Sequence, residues 1–137
     1  MSILYPMGAL VAWTFIILAL VPIARLRAAA QGRVRAKDFR LGESATVPAD
    51  VALFNRNFMN LLELPVLFYV ACLTLYATRT ADGTALVLAW LYVGLRVCHS
   101  LVHVTYNNVF HRLAAYAASV VVLLAMWVRL FMALGGG

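Results

Sequence analysis

Apolar residues fall into four long runs, about residues 3–26, 50–76, 84–106 and 112–134, separated by three polar stretches. Each run is close to the roughly 20 residues an α-helix needs to cross about 30 Å of hydrocarbon. The pattern predicts an all-α membrane protein, a four-transmembrane-helix bundle running up, down, up and down. Pro22 is expected to kink the last turns of the first run. The stretch 27–48 is polar and basic, broken by Gly32 and Gly42, and is long for a bundle loop, which marks it as mobile or functional. Pro48 and Asp50 suit the first turn of the second helix, where proline needs no donor and an acid complements the dipole. Residues 77–83, ATRTADG, form a tight turn, and Tyr106-Asn107-Asn108 marks the last break.

Polar residues inside the runs carry the chemistry. On a helix advancing about 100° per residue, Arg56, Asn60 and Glu63 lie within about 40° either side of Arg56 and share one face. Tyr92, Arg96, His99, Ser100 and His103 share a face of the third run by the same count. A charged side chain near the bilayer centre costs about 2.5–3.5 kcal/mol on insertion scales, so each stripe is expected to face the bundle and mark a site. Glu63 and Arg96 each lie at the middle of their runs, and the two helices are antiparallel. A mid-membrane Glu63–Arg96 ion pair is therefore expected, with Asn60 beside His99 or Ser100 and Arg56 beside His103. Arg56 and Arg112 are then left without acids at one end, an arrangement that suits an anion, either a lipid phosphate or a ligand carboxylate.

Composition narrows the class. At 65% hydrophobic over 137 residues, the chain exceeds the roughly 45–50% of soluble domains and leaves room for one membrane domain only. The formal charge of +6 is not a nucleic-acid footprint, because six of eleven basic residues lie between Arg25 and Arg40, beside a span. By the positive-inside rule, residues 27–48 and 107–111 are expected in the cytoplasm and both termini on the periplasmic or lumenal side. The first run lacks a basic segment before it and reads as a retained span. Cys72 and Cys98 differ in expected depth by about 16 Å, too far for a disulfide, and both are expected to be buried packing residues. His99 and His103 share a face but lack a third ligand at suitable spacing, so no metal is expected. No serine or cysteine has the base and orienter that nucleophilic catalysis requires.

Four spans, Arg56-x-x-x-Asn60-x-x-Glu63 followed by Pro65, then Arg96-x-x-His99, then Arg112 opening the last helix, together make a pattern that resembles the membrane-associated proteins in eicosanoid and glutathione metabolism, the MAPEG superfamily. The likeness covers most of the chain and is strongest from Asn55 to Ala118. It implies a bacterial-type, inner-membrane homotrimer with membrane lipids around it and glutathione as cosubstrate near the cytoplasmic face. Arg56, Asn60, Glu63, Arg96 and His99 match the family's glutathione-binding positions. Arg112 matches the arginine that stabilises the thiolate. His103 stands where relatives carry a tyrosine, and Leu113 where one branch has a hydroxyl. The implied activity is glutathione transfer or peroxide reduction on a lipophilic small molecule by thiolate attack. Its rival is a non-catalytic protein of the same fold whose polar seam holds a trimer together or binds lipid. A small transporter is a third reading.

Overall fold

A computed structural model describes residues 2–135. Its helices are α1 (Leu4–Ala30), α2 (Ala49–Leu62), α3 (Pro65–Ala77), α4 (Gly83–Val104) and α5 (Val109–Gly135), with one 3-10 turn at Ala36–Phe39. α2 and α3 follow one another along a single span, so four segments are long and apolar enough to cross a membrane.

The second span departs from the continuous helix expected over residues 50–76. It breaks at Glu63, whose φ of −84° and ψ of −96° leave the helical region, and restarts with Pro65 in the first turn of α3. Proline has no N–H, and its ring collides with the carbonyl four residues back, here Leu61. Backbone bonding past the break shifts to a three-residue step, Val66 N to Glu63 O at 3.2 Å and Leu67 N to Leu64 O at 3.0 Å.

Each helix end has a visible cause. α1 runs through Pro22 and closes with Gly32 in the left-handed region at φ 69°; Gly32 N bonds Ala29 O and Arg33 N bonds Ala28 O. This is the glycine-terminated double bond that satisfies the last carbonyls of many helices. α3 ends in the same way, with Arg79 in the glycine's place at φ 58°. Asp82 caps α4 by accepting from Ala85 N at 2.7 Å and also pairs with Arg129 of α5. Asn108 accepts from Phe110 N and His111 N at 3.0 and 3.1 Å, which starts α5.

The long basic loop folds back onto the ends of α1 and α2. Val34 and Val47 join Ala28, Val51 and Ala52 in a small cluster. Arg25 lies 4.5 Å over the Phe39 ring and 3.5 Å from Glu43, and Arg33 meets Asp50 at 2.6 Å. The main core joins Leu10 and Ile17 of α1, Leu61 of α2, Phe68, Ala71 and Leu75 of α3, Ala85, Ala89 and Tyr92 of α4, and Met126 and Leu130 of α5. Alanines at these contacts let helix backbones approach closely, the usual solution where lipid offers no hydrophobic drive between helices. Phe68 stacks on Tyr92 at 4.6 Å.

Outward faces remain apolar, with Phe15, Ile16, Val70, Leu73, Val121, Leu124, Val128 and Phe131 exposed. Both cysteines are free thiols. Cys72 is buried as expected, but Cys98 lies exposed on the outer face of α4, which corrects the expectation of burial.

Candidate active site

A cavity of about 530 Å³ opens between α2, α4 and the start of α5. α2 contributes Asn55, Arg56 and Asn60, with Glu63 at the helix break; α4 contributes His99 and His103. Asn107 comes from the connection, Arg112 and Tyr116 from α5, and Leu53, Met59, Val109 and Leu113 supply an apolar rim. The first turns of α2 and α5 and the last turn of α4 lie at the end of the bundle that carries the basic loop, so the cavity belongs to that end.

Six of the seven residues singled out in the sequence therefore meet on one cavity: Arg56, Asn60, Glu63, His99, His103 and Arg112. Arg96 does not line it. Its side chain is wholly buried, and its Nη2 donates to the Asn60 backbone carbonyl at 2.7 Å. The guanidinium carbon also lies 5.5 Å from the Tyr116 ring centre, within cation–π range.

The expected ladder between α2 and α4 is corrected in two respects. No Glu63–Arg96 ion pair forms, because the Pro65 break takes Glu63 off the helical face on which depth matching relied. The partner of Ser100 is Asn57, not Asn60, with Asn57 Nδ2 donating to Ser100 Oγ at 2.5 Å between two fully buried side chains. Asn57 follows Arg56 by one residue, so the inner face of α2 is turned by about 100° from the one inferred. Arg56 is thereby left on the open flank, exposed toward the cavity.

Among the described residues, Arg56, Arg112 and Glu63 have no oppositely charged partner. Two guanidinium groups against one carboxylate give the cavity a net positive charge with neutral histidines. Arg112 is steered by Asn107, whose Oδ1 accepts from Arg112 Nη1 at 2.7 Å. Asn107 itself sits in the left-handed region at φ 46°, which asparagine tolerates better than most residues. The Asn60 side chain donates back to the Arg56 carbonyl at 3.1 Å. His99 touches both His103 and Tyr116, with ring centres 5.9 Å apart in each case.

Asn57, Asn107 and Tyr116 escaped the sequence reading. Tyr116 had a signal: it stands four residues after Arg112, and side chains at that spacing share a face. Asn107 had none beyond its place in a turn.

Chemically, the site offers two cations for carboxylates, one carboxylate for an ammonium, three amides, two imidazoles and a phenol, beside an apolar rim at the edge of a membrane span. A volume of this size lies within the range of small-molecule pockets. Such a fold and site define a polytopic four-span protein with a polar cleft lined by two arginines and one glutamate. The MAPEG family model matches residues 3–132, and the chain belongs to the MAPEG family, integral membrane proteins that include glutathione transferases, peroxidases and related proteins. No curated protein and no solved structure matches the chain.

Proposed function

We propose that the protein is a membrane-bound, glutathione-dependent transferase or peroxidase acting on lipophilic electrophiles. The observation that carries this reading is the convergence of Arg56, Asn60, Glu63, His99, His103 and Arg112, from three helices, on one cavity with surplus guanidinium charge. Glutathione has two carboxylates, one ammonium and one thiol. Arg56 and Asn60 suit a carboxylate, Glu63 suits the ammonium, and His99 donates or accepts on the peptide portion.

Arg112 is the proposed thiolate partner, since a nearby guanidinium favours the charged sulfur. His103 is the hydrogen-bonding group beside it, and Tyr116 adds a phenol to the same wall. In transfer, the thiolate sulfur bonds to an electrophilic carbon, and the leaving group departs or the adduct takes a proton from water. Leu113, Val109 and Met59 line the cavity on its apolar side, where a bilayer-dissolved electrophile would approach. The exposed apolar faces of the helices are proposed to meet lipid and two further copies in a homotrimer. The basic loop and the cleft are assigned to the cytoplasmic side of a bacterial inner membrane, with the termini periplasmic.

The test is thermal unfolding of the detergent-purified protein with and without millimolar glutathione. A ligand present at about 100 times its Kd and bound only by the folded state stabilises by about 2.7 kcal/mol. Arg56→Ala is expected to remove most of that shift, and Arg112→Ala to remove the ultraviolet absorbance of bound thiolate. No shift in the unmodified protein overturns the proposal and leaves the cleft to lipid.

A further inference from the structure

Helix α2 ends inside the membrane span, where a free carbonyl has no water to turn to. A helix leaves its last four carbonyls without intrahelical partners, and within a span those turned away from a polar cavity must be met by protein. For α2 these are Met59, Asn60, Leu61 and Leu62. Pro65 has no N–H for Leu61, and Val66 turns to Glu63 O. The Asn60 carbonyl, which Leu64 N–H would take in a continuous helix, accepts from Arg96 Nη2 at 2.7 Å.

We infer that Arg96 is the cap of the broken helix, a positioning residue that fixes Asn60 and Glu63 for the cleft rather than a ligand-binding group. Three observations support this. Arg96 is fully buried and does not line the cavity, so a bound molecule would not reach it without displacing α2 or α4. No carboxylate pairs with it among the described residues, while the negative end of the α2 dipole lies against its guanidinium. The residue it holds, Asn60, lines the cavity with its side chain while its carbonyl is capped from behind, and Glu63 follows three residues later with its side chain exposed to the cleft.

The break and the buried arginine are thus one device. Proline breaks the helix and removes the donor for Leu61, the break leaves the Asn60 carbonyl without Leu64 N–H, arginine from α4 satisfies that carbonyl, and Glu63 remains unpaired for the ligand. The capping itself is independent of what the cleft binds. Its effect on binding rests on the glutathione reading.

The experiment is a cycle of Arg96→Met, with Arg96→Lys as the charge-retaining variant, in the unmodified protein and in Pro65→Ala. Pro65→Ala restores the N–H for Leu61 and lets Leu64 return to the Asn60 carbonyl. Thermal unfolding in nanodiscs without ligand is measured for each, followed by steady-state turnover with glutathione and a chloronitrobenzene. The cap requires that Arg96→Met lower Tm in the unmodified protein and that this loss shrink by at least half, or change sign, in Pro65→Ala. Positioning requires that Arg96→Met raise KM for glutathione about tenfold with kcat held within about twofold, and that Arg96→Lys recover most of the change. Equal Tm losses in both backgrounds overturn the cap, and a fall in kcat as large as the rise in KM overturns the positioning role. Absence of turnover in the unmodified protein defeats the glutathione reading, and the unfolding cycle then decides the cap alone.

Discussion

Removing the Ser100 hydroxyl leaves the Asn57 amide with no partner in the centre of the bundle, and the consequence is measurable. Both side chains are completely buried, their bond is 2.5 Å long, and Asn57 Oδ1 has no protein partner of its own. In soluble proteins an orphaned buried polar group costs about 1–3 kcal/mol. Between membrane helices the measured average for a side-chain bond is about 0.6 and the maximum about 1.7 kcal/mol, because the unfolded helix also finds partners. Both partners are fully buried and, among the described residues, each is the other's only side-chain partner across α2 and α4. A coupling near the top of the membrane range, about 1–1.7 kcal/mol, is expected. The assay is a double-mutant cycle of Asn57→Leu, Ser100→Ala and both, followed by reversible unfolding in mixed micelles. The double variant is expected to be more stable than the sum of the singles predicts. A coupling below about 0.5 kcal/mol, the scatter found for independent sites, refutes the claim that this bond sets the rotation of α2, and with it the reason Arg56 faces the cleft.

Asn107→Gly keeps the left-handed backbone and deletes the Arg112 acceptor; it is expected to weaken formation of bound glutathione thiolate about tenfold, read by pH titration of thiolate absorbance, and an unchanged titration removes Asn107 from the site. Asn107→Asp is expected to raise the bound thiol's titration midpoint, because a carboxylate neutralises Arg112. Asp82 is held below the ordinary carboxylate range by the Ala85 N–H and, secondarily, by Arg129. Its contribution is therefore present above its unfolded pKa, about 4, and is lost as pH falls through the lower folded value. Unfolding scans should show Asp82→Asn less stable than the unmodified protein near pH 7 and the two converging in acid; a constant gap contradicts this. Arg79→Gly should raise stability by about 1 kcal/mol, since only glycine adopts φ 58° without strain, and a loss in thermal unfolding counts against that turn.

The spans were legible because hydrocarbon demands an uninterrupted apolar length, and a run of such length has few alternatives. Cavity lining was legible for a related reason: a polar group inside a span must face something other than lipid. What pattern could not supply was orientation to within one residue. Arg56 and Asn57 are adjacent and both polar, and only packing decides which points inward. Ser100 on α4 selects Asn57, and that choice turns the whole stripe toward α5. The helix break was half legible, because Pro65 stands in the motif but the direction in which the backbone restarts after it depends on packing. Glu63 lost its presumed partner at that point, since depth matching assumes an unbroken axis. Tyr116 was half legible, four residues after Arg112 on the same face of α5, and Asn107 was out of reach because its role depends on how the turn between α4 and α5 folds.

The broken span also accounts for the charge of the cleft. Had Glu63 paired with Arg96, the cleft would have held two arginines and no acid, a site for an anion only. Because a backbone carbonyl takes the place of the carboxylate at Arg96, Glu63 stays unpaired at the cavity wall. The site then has groups of both signs, Arg56 and Arg112 with Glu63, and on the proposed reading that set favours a zwitterion over a simple anion such as a lipid phosphate. Glu63→Gln separates the two cases. It should weaken an amino-acid-like ligand bearing an ammonium and strengthen a plain anion, measured as opposite Tm shifts with glutathione and with an anionic lipid headgroup analogue. Shifts of the same sign for both ligands would mean that Glu63 does not read the ammonium and that the cleft's charge does not set the ligand class.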